Sequence, residues 1–586
     1  MNPGQLPLLS TCIASLEDSG VDHLLAAFGE NPHASSLLAI CDQVFPLLEA
    51  AMWREGHLDQ RLLAQYQAVV REVDDWLKAR ENDPRHEFVV VIPVADRPRH
   101  LHSCLESLAT LRQVFPWGRL SVLVADDSGD PDNIREHQET LAGFRARGLD
   151  GRYFGQAEQL ARLAELEPGH RQALKGVLGE QDARRFWHKG ASNMRNISYL
   201  ELIRGEAAEK QALYWFVDSD QEFRAGDDYA LNYLFHLDRL FTRQAVTLFT
   251  GKVVGDPPVS PAVMASNFLD DVLAFMTALA DADADAPCGF HPRQQERADD
   301  AAYHDMADLF GFKGGQHHFD YRCPLSGAHD HRRCLEAYAG RLNGFFDGEH
   351  ITRQTAYEFQ PLAQTRAPAR TVYTGNYVFN RAGLEYFIPF AALKLRMAGP
   401  VLGRIAAAEL GAGFVSANLP MLHKRTVTEA GRSEFRPGIE HQEQYSDISG
   451  EFERQYYGDV MLFSMIRLTE QGYPAATLTG ESIREVLENV EQEMALRYAE
   501  KRQDILAKTR ALEQWLDAPG QWWQTCPDAL ARMRCFTGSM RRSFGDRAAG
   551  VCLMSSPAHR RRRLDSMTRA LQDYPRERAL WRQLLS

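Results

Sequence analysis

Through residues 1–85 apolar side chains recur every three to four positions. Leu47, Leu48, Met52, Leu58, Leu62, Leu63, Tyr66, Val69, Val70, Val73, Trp76 and Leu77 carry the run, and that period predicts helices. The polar stretch Glu81-Asn82-Asp83-Pro84-Arg85 interrupts it. From residue 88 the texture changes. Phe88-Val89-Val90-Val91-Ile92 is short, apolar and β-branched, as a strand buried on both faces must be. Further strands are predicted at residues 120–125, 152–154, 212–217 and 245–250. Helical stretches fall between them, one with the stripe Leu101, Cys104, Leu105, Leu108 and another over roughly 156–205. Strands alternating with helices predict an α/β fold built on a largely parallel sheet.

The same pattern divides the chain. Residues 1–85 form a helical N-terminal region and residues 86–280 a sheet-forming part. Residues 281–370 read as a loop-rich insertion or lid, opening on the acidic run Asp281-Ala282-Asp283-Ala284-Asp285-Ala286-Pro287. Strands return in 371–445, at 371–379 and 413–419, and residues 446–586 are helical again. In residues 481–517, Ile483, Leu487, Val490 and Met494 fall on one face. That stripe suits either an intermolecular coiled coil, making a homo-oligomer through the C-terminal helices, or packing within the chain. No repeat of 20–50 residues is visible.

Composition narrows the class. The chain has 586 residues, 44% hydrophobic and 25% charged, which is globular and excludes a disordered or collagenous chain. Its net charge of −13 disfavours a nucleic-acid partner, because phosphate contacts need a basic face. The run Arg560-Arg561-Arg562-Arg563 is local and reads as a solvated helix face or an anion contact. Nine scattered cysteines predict a reducing, cytoplasmic setting. The start, Met1-Asn2-Pro3-Gly4-Gln5, lacks the basic-then-apolar layout of a leader. The most apolar stretch, 406–422, contains Glu409, so no transmembrane segment is predicted.

The chemistry lies at strand ends. Two predicted strands run into acids, Asp126-Asp127 and Asp218-Ser219-Asp220. Buried strands that empty into unpaired carboxylates are costly. Mn²⁺ or Mg²⁺ with a phosphorylated ligand would neutralise them; the plainer reading of Asp218 and Asp220 is a turn or cap.

Four elements together resemble GT-A glycosyltransferases of the large inverting family. The first is residues 89–98, Val-Val-Val-Ile-Pro-Val-Ala-Asp-Arg-Pro, followed by Leu105-Glu106-Ser107-Leu108. The others are Leu123 to Asp130, Gly190-Ala191-Ser192-Asn193-Met194-Arg195-Asn196, and Phe216-Val217-Asp218-Ser219-Asp220. The resemblance covers roughly 88–255 and, more loosely, 371–430. It implies a GT-A, Rossmann-like sheet flanked by helices and a donor that is a nucleotide-diphospho-sugar, most often UDP-linked. It places Pro93, Val94, Asp96, Arg97 and Asp127 around the nucleoside, and Lys189, Arg195, Asn196 and Ser219 at the donor. Asp218 and Asp220 would hold the cation. His423, in Pro420-Met421-Leu422-His423-Lys424-Arg425, would complete the metal shell, with Lys424 or Arg425 near phosphate. Thr374 to Arg381 resembles the element beneath the acceptor, putting Gly375 and Asn376 on the acceptor side, the glycine small enough for a sugar to approach.

The sequence also departs from the family. Inverting members carry a Glu-Asp pair after that element, whose Asp is the general base. Here residues 395–404 read Leu-Arg-Met-Ala-Gly-Pro-Val-Leu-Gly-Arg. Asp347, Glu349, Glu385 and Glu409 are unranked replacements; a retaining reaction, or a catalytically inactive binding module, are the other readings. A sugar-nucleotide nucleotidyltransferase is a further alternative, opposed by the absence of glycine after the first strand. The insertion holds His317-His318 and the spacing Cys323-x5-His329-x-His331-x2-Cys334, four possible zinc ligands. Residues 345–353 are a candidate lid.

Overall fold

The computed structural model describes residues 6–15, 29, 32–80, 83–180, 182–204, 211–290, 321–352, 355–425 and 436–585. A nine-stranded sheet forms its centre. The strands are β1 (Glu87–Val94), β2 (Leu120–Asp126), β3 (Asp150–Phe154), β4 (Ala212–Val217), β5 (Gln221–Glu222), β6 (Leu248–Gly255), β7 (Ala367–Pro368), β8 (Asn376–Phe379) and β9 (Phe414–His423). They lie in the order β3-β2-β1-β4-β8-β6-β9-β5, with β7 also on β9. β1 is parallel to β2 and β4, β2 to β3, and β6 to β9. β8 opposes both its neighbours, so β6 and β9 run with the first four. The carboxyl ends of six strands therefore point the same way.

β1 shows why its sequence is apolar without alternation. Val89 and Val91 enter one hydrophobic core, while Phe88, Val90, Ile92 and Val94 enter another. The second core is closed by helices Ala34–Met52, Gln60–Lys78, Pro98–Val114 and Tyr233–Arg243. The first is closed by Ala191–Leu202, Pro261–Ala280 and the C-terminal helices. Each such buried valine or isoleucine contributes about 1.5–3 kcal/mol.

The predicted strands recur with shifted ends. The strand predicted at 245–250 begins at Leu248 and runs on to Gly255, and the one at 413–419 extends to His423. The one at 371–379 keeps only Asn376–Phe379, because Tyr373 N donates instead to Thr250 Oγ1, at 2.9 Å. The N-terminal break at Glu81-Asn82 and the start Met1–Gln5 lie outside the described residues.

Helix Gly480–Asp517 is capped by Thr479, which accepts from Ser482 N. Its stripe of Ile483, Leu487, Val490 and Met494 continues through Tyr498, Ile505, Leu512 and Leu516, all buried. Helices Ser449–Glu470, Pro261–Ala280, Pro527–Phe544 and Pro557–Leu585 of the same chain cover it. The stripe is spent within the chain, which corrects the coiled-coil reading. The basic run is also partly spent. Arg560 pairs with Glu491, and Arg563 reaches Glu453 at 3.0 Å. The lid expectation fails for residues 345–352. Phe345 stacks on Phe268 at 4.4 Å and Phe346 lies 5.4 Å from Phe536, all within the core; Arg353 lies outside the described residues.

Two helices, Ala34–Met52 and Pro261–Ala280, are long and apolar enough to cross a membrane by length and composition, contrary to the sequence expectation. Most of Pro261–Ala280 is buried between the sheet and the C-terminal helices, which accounts for its composition without a membrane.

The last helix carries a titratable group whose effect is measurable. Burial, with a smaller push from Asp573, raises the Glu577 carboxyl from 4.5 to about 7. The fold thus prefers the protonated form. Its stability is complete below the unfolded value and is lost as pH rises through about 7. A shift of that size corresponds to roughly 3 kcal/mol. Glu577→Gln is expected to raise the thermal midpoint by a few degrees at pH 8 and to leave it unchanged near pH 4, read by calorimetry at both pH values.

Candidate functional site

The like-directed strands deliver their loops to one end of the sheet, where open α/β sheets bind ligands. A cleft of about 250 Å³ opens there. It is lined by Pro93, Val94, Ala95 and Arg97 at and just past the end of β1, Asp127 after β2, Asp218, Ser219 and Asp220 after β4, and Gly190, Ala191 and Met194 at the start of helix Ala191–Leu202. Arg396, Arg425, Arg436 and Glu451 also line it.

The tight turn after β4 sets the acids. Gln221 N donates to Asp218 O at 3.0 Å, and Asp218 N to Gly375 O at 3.2 Å. The short β5 then pairs antiparallel with the end of β9, placing Gln221 opposite His423. This brings Asp220 Oδ2 to 3.4 Å from His423 Nε2. His423 Nδ1 lies 2.6 Å from Asp256 O and can only donate there, which leaves Nε2 as the acceptor. Arg425 Nε donates to that same Nε2 at 3.1 Å. Asp218 and Asp220 thus offer two carboxylates to the cleft, a donor set that fits Mn²⁺ or Mg²⁺ with phosphate oxygens; His423 Nε2 stands beside Asp220 but accepts from Arg425, so a cation taking that nitrogen would displace the guanidinium.

The charges around the acids divide their roles. Burial would raise Asp220, but His423, Arg425 and Arg97 outweigh it and hold its carboxyl well below the usual carboxylate range. Burial, aided by the charge of Asp220 and opposed by Arg195, pushes Asp218 up. Arg195 forms an ion pair with Asp218, and Arg97 Nη1 lies 3.4 Å from Asp220. Gly190 sits at φ +99° with open space above its Cα, so the helix begins directly at the cleft wall. Its N-terminus presents backbone amides suited to an anion.

Several predicted contacts are taken up inside the protein. Asp96 is absent from the cleft wall. Its Oδ1 accepts from Asp130 N and Asn133 Nδ2, and its Oδ2 from Gly129 N and His188, so it ties three loops together rather than facing a nucleoside. Burial opposes ionisation there, but those donors hold its carboxyl below the usual range. Lys189 is buried, 2.5 Å from Asp127 Oδ1, and burial lowers its ammonium despite that partner. Asn196 bonds to Val177 O, Ile388 O and Ile388 N, joining helix Ala191–Leu202 to two neighbouring segments. Gly375 leaves no room for a sugar: a Cβ there would meet the Tyr373 ring at 2.8 Å and Asp218 Oδ2 at 3.1 Å.

Asn376 is also structural. It accepts from Trp215 Nε1 and donates to Lys252 O and Leu419 O, satisfying backbone where β6 and β9 slip register. Asn376→Ala is expected to cost on the order of 3–5 kcal/mol through those buried groups. Its thermal midpoint falls, while nucleotide affinity of the folded protein stays unchanged.

None of the four predicted base candidates lines the cleft. Glu385 and Glu409 are held by Arg582 and Arg578, at 2.9 and 3.0 Å. Asp347 lies 3.1 Å from His441, and Glu349 folds onto Gly344. The cleft carboxylate that the sequence did not single out is Glu451, on the first turn of helix Ser449–Glu470. It is 1% exposed, with Oε1 accepting from Arg396 at 3.0 Å and Oε2 unsatisfied. Its only sequence signal is an acid at a helix start, far along the chain from the motifs.

No family model matches the sequence, and no curated protein is similar to it. Among solved structures the chain is similar to glucosyl-3-phosphoglycerate synthase from Mycobacterium tuberculosis, in complex with Mn²⁺, uridine diphosphate and glucosyl-3-phosphoglycerate. That likeness is 14% identity over 62% of this chain and 78% of that one, with a TM-score of 0.28. Another is S. aureus TarS residues 1–349, at 11% identity over 84% of this chain and 91% of that one, TM-score 0.26. The reversed strand β8 between the like-directed β4 and β6, together with an acidic cleft at the carboxyl ends of the like-directed strands, gives the chain a GT-A glycosyltransferase-like fold.

Proposed function

We propose that the chain is a metal-dependent glycosyltransferase that takes a sugar from a nucleotide-diphospho-sugar, the nucleotide being uridine diphosphate. The observation that carries this is a cleft lined by Asp218 and Asp220 at the carboxyl ends of the like-directed strands, with His423 Nε2 3.4 Å from Asp220 Oδ2. A divalent cation held by the two carboxylates supplies charge neutralisation for the leaving diphosphate. The chain's own residues do the rest. The amides at the start of helix Ala191–Leu202 and the guanidiniums of Arg97 and Arg425 hold phosphate oxygens, and the planar forks suit them.

In transfer, the bond from the anomeric carbon to the diphosphate oxygen breaks, and its electron pair leaves with the diphosphate. The acceptor hydroxyl forms the new bond, and Glu451 takes its proton. Arg396 keeps the Glu451 carboxylate oriented into the cleft. This offsets the missing Glu-Asp pair on which the binding-module reading rests. The surplus of arginine, with Arg396 and Arg436 beyond the donor residues, suits an acceptor bearing negative charge. Nine unpaired cysteines fit a reducing compartment.

Calorimetric titration with UDP, GDP and CDP, each with Mn²⁺ and with EDTA, tests the reading. Binding of UDP that needs the metal is expected. Failure of all three nucleotides to bind with metal present would remove the donor-site assignment.

A further inference from the structure

Cys288 precedes Cys323 by 35 residues and Cys334 by 46, yet the three Sγ atoms lie within 4.8 Å of one another, all buried. None is in a disulfide. Cys323 Sγ is also 3.2 Å from His329 Nε2. The other ring nitrogen of His329 lies 2.9 Å from Gly327 O, where it must donate, so Nε2 carries the lone pair. We infer that Cys288, Cys323, Cys334 and His329 form a structural zinc site, independent of the catalytic cleft.

The geometry fits that ion. Tetrahedral zinc with Zn–S near 2.3 Å and Zn–N near 2.0–2.1 Å sets its sulfurs about 3.8 Å apart, and sulfur and nitrogen about 3.6 Å apart. The three sulfurs, within 4.8 Å of one another, stand near that spacing, and His329 Nε2 joins them from the Cys323 side at 3.2 Å. Three thiolates and an imidazole form one of the common closed zinc sets, and they select against magnesium and calcium, which take oxygen. The backbone holds the site as well. Cys288 N donates to His329 O at 2.9 Å, Cys323 N donates to Phe290 O at 2.7 Å, and Cys334 lies in the first turn of helix His331–Leu342.

The ligand set differs from the spacing read in the sequence. His331 is not a ligand: its Nδ1 lies 2.7 Å from Asp283 O, and its Nε2 accepts from Gly289 N at 3.2 Å. Cys288, which no local spacing ties to the others, takes its place. His317 and His318 lie outside the described residues. Binding releases the three thiol protons as the sulfurs become thiolates. The site would fasten residue 288 to residues 323–334, and with them helix His331–Leu342 to the C-terminal helix Pro527–Phe544 on which it packs.

The test uses the full chain, purified without chelator. Elemental analysis is expected to find one tightly held zinc per chain. After exchange, Co²⁺ should give the intense visible bands of a tetrahedral site and a thiolate charge-transfer band. Cys288→Ser and Cys323→Ser lose the metal, His329→Ala weakens its binding by removing one of the four ligands, and His331→Ala and Asp220→Ala keep it. A His329→Cys variant, with four thiolates, retains zinc and shifts the cobalt bands. Wild-type protein that holds no zinc and yields no tetrahedral cobalt spectrum overturns the site, and so does zinc retained at full occupancy by Cys288→Ser and Cys323→Ser. Because Asp220→Ala leaves the zinc in place, failure of the donor reading and failure of the zinc site are separately visible.

Discussion

Asp220→Ala is expected to abolish metal-dependent binding of uridine diphosphate and to lower sugar transfer on the order of 10³-fold or more. The size follows from what the carboxylate does. It lies between His423 and two arginines, and those charges hold it ionised against the cost of burial. Removing it takes away one anchor of the cation that neutralises the leaving diphosphate, an effect worth several kcal/mol. It also leaves Arg97, Arg425 and His423 facing one another without their shared anion. Asp220→Asn keeps the shape and removes only the charge, so it separates lost ligation from lost packing. Both variants should lose the difference between titrations with Mn²⁺ and with EDTA. Unchanged affinity for the metal–nucleotide pair in Asp220→Asn would overturn the assignment of the cation to this turn.

Glu451→Gln is expected to cut kcat for transfer by roughly 10²- to 10⁴-fold, the range for loss of a general base. Nucleotide affinity should hardly change, because the Glu451 carboxylate bonds to Arg396 and not to the Asp218–Asp220 turn. The isosteric amide still accepts from Arg396, so packing at the start of helix Ser449–Glu470 survives. The signature is therefore a fall in kcat with nucleotide binding intact. Equal activity of Glu451→Gln and wild type would return the chemistry to a reaction without a protein base. In that case the leaving diphosphate itself would take the acceptor proton.

Strand ends were legible because a strand buried on both faces must be apolar throughout. Ile92 and Val217 sit in that pattern, and the acids that follow stand out against it. The Asp218-Ser219-Asp220 turn, and its cleft position, follow from that local rule. Asp96, Asn196 and Asn376 show where the rule stops. Each is a polar residue beside a motif, and sequence does not say whether its hydrogen bonds go to a ligand or to backbone. In the fold all three are spent on backbone and loops, since buried polar groups must be paired wherever they point.

Glu451, Arg396 and Arg436 were beyond reach for a different reason. They come from helix Ser449–Glu470 and the loops before it, and no local periodicity links those to β4. The zinc ligands repeat the lesson. Cys323, His329 and Cys334 lie close in sequence, but Cys288 joins them only because Pro287 and Asp330 pair across the insertion. Period, strand composition and strand-end acids are properties of neighbouring residues, so the chain alone decides its α/β class, its helical ends and its two acidic loops. Which carboxylate faces the acceptor, and which thiols share a metal, depend on contacts closed over long stretches of chain. Those contacts are chosen by packing of whole helices against the sheet, and only the tertiary structure decides them.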